Sequence, residues 1–382
     1  MDFSLTPEQQ SVQQTARNAA QKVKALAARL DREGRFPEDI LQAWAREGLF
    51  GLALPREYGG EGRDYVAYAL AQMELAQACP SSALMLHVNH SLFGMGLLQF
   101  GTDDQKRRFL PPVAQGQALA CFALTEPQAG SDPSRLKTAA LRGSHGWVLS
   151  GQKNFVTSGQ AARFAMVAAR TDANREPHKS ISLFIMDLKN TTGVKVGPEE
   201  EKMGLQGAKS VSLEFDGVDL PPTALLGEPN NGLSLALSLM DGARVGAAAM
   251  AVGVGRAALT EALNYARGRE QFGRPLVQFQ GLQWKLADLA TGLEAASLLT
   301  LKAAWLKDQG RPFSAAAAMA KKFATDTAMA AAQEGLQILG GYGYLKDYPL
   351  ERLFRDAKAG QIYEGTNEIM RLIIARDLLK GV

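Results

Sequence analysis

The sequence predicts an α+β protein in three consecutive zones: a helical zone over residues 1–117, a β-barrel or sandwich over 118–230, and a four-helix bundle over 231–382. Apolar side chains recur every three to four residues at both ends of the chain. The middle instead carries short runs rich in Val, Ile, Leu and Phe, separated by Gly, Asn, Asp and Pro. No long helical pattern separates those runs, so alternating strand–helix units around a parallel sheet are not expected.

In the first zone, Thr6, Pro7 and Glu8 combine an N-cap, a first-turn proline and an acidic first turn. Val12, Ala16, Ala19, Val23 and Leu26 then mark one face of a helix. The Gly-rich PREYGGEGRD segment ends that block, and a second helical block runs from Tyr65 to about Phe100. Pro111 and Pro112 are expected to stop regular structure near the end of the zone. In the second zone ALACFALT, GWVLSG, RFAMVAAR, SISLFIMDL and VSLEFDG read as strands. In the third, a long helix fills 311–339 with Pro312 near its start, flanked by helices over 234–268 and 278–308 and a last one near 366–380.

The length, 382 residues, suits two or three domains at about 150 residues each. With 46% apolar and 21% charged residues, no large part is expected to be disordered. The 42 basic and 39 acidic residues are interspersed, which excludes a clustered nucleic-acid footprint but suits a small anionic ligand such as a phosphate-bearing cofactor. Cys79 and Cys121 show neither a disulfide framework nor metal-site spacing; buried free thiols in a reducing cytoplasm are expected. The start, MDFSLTPEQQ, does not have the pattern of a signal peptide. No apolar run approaches about 20 residues, and the Ala247–Ala258 stretch contains Arg256, so no membrane span is expected.

Several motifs have ordinary explanations. His87 and His90 in HVNH stand at i, i+3, but no further His or Cys pair completes a metal set; a pocket wall or subunit contact is expected. GVGRAA from Gly253 resembles a dinucleotide fingerprint but sits inside a helical run, where small residues serve packing. GLQGAKS from Gly204 lacks the glycine before Lys209 that a phosphate loop requires, and no GxSxG is present.

Three segments carry more. ALTEPQAGSDPS, 123–134, ends a strand in an irregular loop whose N–H groups could hold a ring or phosphate, with a surface turn as the equal alternative. In QILGGYGYLKDYPLERLFRD, 337–356, Gly340, Gly341 and Gly343 suggest close approach by a ligand or another chain, while ERLFRD places charges at a turn, where a salt bridge is expected. In QIYEGTNEIMRLIIARDLL, 361–379, Glu364 stands between bulky Ile362 and Tyr363 and the small Gly365, with Thr366 capping the last helix. Such a carboxylate can serve as a base; otherwise it is an exposed first-turn acid.

Taken together, TEPQAGSD, GQKNFVTSG, REQFG, QILGGYGY and IYEGTNEIMR, in this order over almost the whole chain, resemble the acyl-CoA dehydrogenase family. The resemblance implies the same three-domain architecture and FAD in a cleft between the β domain and the C-terminal helices. It implies that Phe122, Leu124, Thr125, Gly130 and Ser131 hold the flavin, with Ser131 also at the start of CoA. Phe155, where many members have Trp, and Thr157 match the residues at the isoalloxazine. Arg269, Phe272 and Gln280 match positions that reach a neighbouring subunit's FAD in a homotetramer. Gln337, Gly340 and Gly341 match contacts to the ADP part, and Thr366 and Glu368 contacts to the adenosine. Asp241, Arg244, Tyr363 and Gly365 match substrate contacts, and Glu364 the catalytic base.

A minority of members carry the base beside Arg244, where this chain has Ala243. Arg135 departs from the usual small residue after GSD, either adding a CoA phosphate contact or pointing to solvent. By resemblance, the base's backbone N–H and a ribityl hydroxyl hold the thioester oxygen, and an electron-transferring flavoprotein accepts the electrons. No Lys or Arg occurs from Glu74 to Gln105, which line the acyl end in the family, so glutaryl-type tails are disfavoured. Leu84, Met85, Leu86 and His87 suggest a shallow pocket for a short or short branched acyl-CoA. The alternatives are an acyl-CoA oxidase, a dehydrogenase of carrier-protein thioesters and, in a different class, a non-catalytic acyl-CoA-binding protein; a flavin monooxygenase of this fold would lack the base.

Overall fold

The structure, a computed structural model, describes residues 4–380. The readings that fall on Met1–Phe3 and on Gly381–Val382 lie outside the described residues.

The chain opens with α1 (Pro7–Glu33), started by a reciprocal cap: the Gln9 N–H donates to the Thr6 hydroxyl at 3.2 Å, and the Gln9 side chain accepts from the Thr6 N–H at 3.0 Å. Its buried stripe is Val12, Ala16, Ala19, Val23, Ala27 and Leu30. After α2 (Glu38–Arg46), the expected second block forms α3 (Tyr65–Ala78), α4 (Pro80–His87) and α5 (Met95–Phe100). A π-helical segment, Val88–Gly94, joins the last two. Pro80 supplies no N–H, and the chain breaks there into a new helix.

The expectation at Pro111–Pro112 is corrected. Both prolines lie inside α6 (Asp103–Ala114). The carbonyls they leave without partners belong to exposed Arg107 and Arg108, where water can satisfy them.

The middle zone holds β1 (Ala120–Ala123), β2 (Ala139–Gly143), β3 (Gly146–Thr157), β4 (Phe164–Arg170), β5 (Ile181–Asp187), β6 (Val194–Glu199), β7 (Ser210–Leu220) and β8 (Leu225–Leu226). They form one eight-stranded sheet in the order β6-β7-β3-β2-β4-β5-β8, with β1 on β4. Pairing is antiparallel except that β1 and β2 each run parallel to β4. β4 and β5 are sandwiched. Phe164, Met166, Ala168, Leu183 and Ile185 face a core shared with the helices, while Ala165, Val167, Ala169, Phe184 and Met186 face the sheet's own core. Burial on both sides explains why these strands read as continuous apolar runs.

The third zone contains α7 (Gly232–Gly268), α8 (Gln280–Asp308), α9 (Ser314–Leu339), α10 (Pro349–Gly360) and α11 (Asn367–Leu378). Between α7 and α8, β9 (Glu270–Gln271) and β10 (Arg274–Pro275) make a small hairpin. Among the described residues the four expected helices are joined by a fifth, α10, because ERLFRD lies in a helix and not at a turn. Pro349 starts α10, and Leu350, Leu353 and Ala357 bury one face. The expected salt bridge is present: Arg355 pairs with Glu351 and with Asp31 of α1, each at 2.7 Å.

GVGRAA serves close packing within α7. A Cβ at Gly253 would lie 2.3 Å from the Met73 carbonyl oxygen, and one at Gly255 2.5 Å from Leu293 Cδ2. α7 is long and apolar enough to cross a membrane by length and composition, but 72% of its most apolar window is buried within the protein.

Candidate active site

The turn between α10 and α11 presents Glu364 with a left-handed backbone, φ 56°, followed by Gly365 at φ 94°. A non-glycine residue stays in this region only where its surroundings over-determine it. They do so here from three sides. From α9, the buried Lys321 ammonium donates to the Gly365 carbonyl at 2.8 Å and to Asn367 Oδ1 at 3.0 Å. The Asn367 amide in turn donates to Thr325 Oγ1 at 2.9 Å and Asp326 Oδ1 at 2.7 Å. Burial pushes Lys321 down to about 8, against the pull of Glu364. From α7, Arg244 donates to the Glu364 carbonyl at 3.3 Å while paired with Asp241 at 2.5 Å. Thr366 caps α11, accepting from the Ile369 N–H.

The third side is α4. The Glu364 side chain is only 7% exposed, and its Oε1 lies 2.5 Å from His87 Nε2. Its Oε2 is buried with no hydrogen-bond partner among the described residues. His87 is buried, and its Nδ1 lies 2.8 Å from the Tyr68 hydroxyl. His90 accepts from the Ala53 N–H at 3.1 Å and stacks on Tyr68 at 4.2 Å; burial, and then His87, hold it down at about 3. The two histidines are thus interior side chains, which excludes a subunit contact. The partnership of His87 with Glu364, 277 positions later, was not legible; the available signal was a histidine at the end of an otherwise uncharged helix.

A second cluster forms where β1 meets β3. The Asn154 N–H donates to the Thr125 carbonyl at 2.9 Å, and the fully buried Lys153 donates to the Leu124 carbonyl at 3.1 Å and to Glu126 at 2.6 Å. Burial pushes Lys153 down to about 8, and Glu126 opposes the shift. Sequence reasoning singled out neither member of this pair. The pairing of β3 with β7 shifts register between Lys153 and Val156, and Phe155 sits in that bulge at φ 56°, 64% exposed. Phe122 and Thr157 are half-buried and Leu124 is buried. Gly130, Ser131 and Arg135 are exposed on the loop.

Arg269, Gly340 and Gly341 come together around an open hollow of about 410 Å³, with Tyr265 and Tyr342. Phe272 tips the β9–β10 hairpin at φ 54° and is 94% exposed; Gln280, Gln337 and Glu368 are also exposed. Among the described residues none of these makes a hydrogen bond to the Glu364 cluster. Tyr363 is half-buried, and burial pushes its hydroxyl far up.

These residues fit a flavin. Phe155 presents an aromatic face, and the buried Asn154 Oδ1 and Ser158 Oγ beside it lack partners among the described residues. Models of the acyl-CoA dehydrogenase N-terminal, middle and C-terminal domains match residues 6–117, 121–218 and 230–379. The bovine mitochondrial short-chain specific acyl-CoA dehydrogenase is 41% identical over 97% of this chain and 90% of its own. The solved butyryl-CoA dehydrogenase of Megasphaera elsdenii superposes with a TM-score of 0.97 at 39% identity, covering 99% of this chain and 100% of that one. A chain of the solved structure described as the electron transferring flavoprotein of Acidaminococcus fermentans gives 0.98 at 40%, covering 100% of both. This chain belongs to the acyl-CoA dehydrogenase family, FAD-binding oxidoreductases that act on a CH–CH group.

Proposed function

We propose that this acyl-CoA dehydrogenase converts a short-chain acyl-CoA, about the size of butyryl or a short branched group, to its trans-2-enoyl-CoA, with Glu364 removing the α proton. One observation carries the assignment: a nearly buried carboxylate has one oxygen tied to His87 and the other without a partner among the described residues. The oxygen without a partner is the proton acceptor. Arg244 and Lys321 hold the carbonyls of Glu364 and Gly365, so the base keeps its place as the proton arrives. Phe122, Leu124, Thr125, Gly130, Ser131, Phe155 and Thr157 hold FAD, which supplies the hydride acceptor when bound. Asp241, Arg244, Tyr363 and Gly365 receive the acyl-CoA.

Two relatives described as short-chain specific and butyryl-CoA dehydrogenases support the chain length. An electron-transferring flavoprotein is the proposed acceptor, supported by the Acidaminococcus structure. Exposed Phe272, Trp284 and Tyr344 support assembly into a homotetramer, in which Arg269, Phe272 and Gln280 complete a neighbour's site. We further propose three domains, 1–117, 118–230 and 231–382, and a cytoplasmic location.

Anaerobic flavin bleaching by a panel of acyl-CoAs tests the reading. Butyryl-CoA should bleach fastest, and Glu364→Gln should keep its flavin while losing activity by about a thousandfold or more. Near-normal bleaching in that variant removes Glu364 as the base. Peroxide formation at a rate matching turnover would identify an oxidase instead.

A further inference from the structure

The hydrogen bonds around His87 fix which way its protons point. Tyr65 donates to the Gly242 carbonyl at 3.0 Å. The Tyr68 oxygen already accepts from Gln72 at 3.2 Å and from Ser91 at 2.9 Å. Tyr68's own proton is therefore the one available to His87 Nδ1, 2.8 Å away. An imidazole that accepts at Nδ1 carries its proton at Nε2, and that nitrogen faces Glu364 Oε1 at 2.5 Å. The network, not a visible hydrogen, assigns this tautomer.

We infer that His87 is a positioning residue for this reaction: its Nε2–H holds Oε1 of Glu364 so that Oε2 alone is offered to the substrate. The inference rests on the reading of Glu364 as the base. Three further features support it. His87 is fully buried, so no water competes for the bond. The imidazole occupies space that exists only because residue 246 of α7 is glycine; a Cβ there would stand 2.4 Å from Nδ1. The ring is carried at the end of α4, directly before the π-helical segment, where Asn89 accepts from the Ala120 N–H at 2.8 Å and donates to the Val113 carbonyl at 3.1 Å. The segment holding the imidazole is thus anchored to β1, the strand that leads to Thr125.

The test uses the holoenzyme, with stopped-flow reduction of the flavin by butyryl-CoA. His87→Phe fills the space without a donor and should slow reduction by about a hundredfold, with KM nearly unchanged. His87→Gln, which restores an N–H at the reach of Nε2, should recover most of that loss. Tyr68→Phe frees Nδ1 and should give an intermediate loss. A second readout needs no turnover: nitrogen NMR of the chain's four histidines in the substrate-free holoenzyme should show one buried ring, perturbed by Glu364→Gln, protonated at Nε2 only. Protonation at Nδ1 of that ring, the one perturbed by Glu364→Gln, overturns the inference. So does His87→Phe reducing at the wild-type rate while wild type still bleaches; that result leaves the dehydrogenase reading intact. A wild-type flavin that no acyl-CoA bleaches overturns the dehydrogenase reading itself and takes this role with it.

Discussion

Gly246→Ala offers a way to move His87 without replacing it. The added Cβ would lie 2.4 Å from Nδ1, 2.6 Å from Cε1 and 2.9 Å from the Tyr68 hydroxyl. Ordinary contact begins near 3.4 Å, so the imidazole must shift by about 1 Å. A bond of 2.5 Å to Glu364 does not survive such a shift with its alignment intact. Misplacement on this scale should slow flavin reduction by about a hundredfold. The stability effect has two opposing parts. Overpacking costs about 1–3 kcal/mol. Replacing a helical glycine by alanine returns about 1 kcal/mol. The net expectation is about 0–2 kcal/mol of destabilisation, read from urea denaturation. In a His87→Ala background the ring is gone and Tyr68 gains room to shift, so the same substitution should become stabilising by about 0.5–1 kcal/mol. A Gly246→Ala enzyme that reduces its flavin at the wild-type rate would refute the reasoning. A stability cost that persists unchanged without His87 would place the strain in the α7 backbone instead.

Lys153→Met leaves the Glu126 carboxylate buried with the Gln128 amide and the Lys137 and Thr138 N–H groups as its donors and no cation, and should cost about 3–5 kcal/mol in urea. Adding Glu126→Gln should recover much of that, and additive losses would show that the pair is not coupled. Burial holds the Asp356 carboxyl up at about 7, against 3.8 for the free side chain. The unfolded chain binds fewer protons between those values, so stability is present below about pH 4 and is lost as pH rises through 7. Asp356→Asn keeps an acceptor for the Leu205 N–H and should gain up to about 4 kcal/mol at pH 8 and almost nothing at pH 3.5; equal gains at both pH values would contradict the assignment. Phe272→Asp should weaken both assembly in light scattering and flavin retention, and an undisturbed assembly with full flavin would remove the hairpin from the subunit contact.

Legibility followed the range of the interactions. Caps, periodic faces and strand runs depend on neighbours within a few residues, so Thr6, the α1 stripe and the cores of β4 and β5 could be read directly. β6 could not, because its side chains lack a buried face and its place comes only from pairing with β7. α10 was hidden by its charges. Arg355 looks like turn chemistry until Asp31, 324 positions earlier, is seen to receive it. The prolines of α6 misled for the opposite reason: they break rules only where the lost bonds are buried, and these face water.

The candidate site shows the same division at higher stakes. A glycine after a carboxylate marks a turn, and Gly365 announced one, but nothing local says that Glu364 itself adopts φ 56°. That conformation persists because Arg244 and Lys321, 120 and 44 positions away along the chain from the carbonyls they hold, grip the turn. Phe155 is held in the same backbone region by a bulge against β7 and by Thr125. Both positions are strained residues fixed by distant buried polar groups, and Glu364 has a further such partner in His87. A motif comparison records Glu364 and Phe155 because they stand in recognisable strings. It passes over His87, which works only through a space left by Gly246 on another helix. A side chain that tunes such a base therefore leaves no local mark in the sequence, since it needs only a compatible partner across the core and no particular neighbour in the chain.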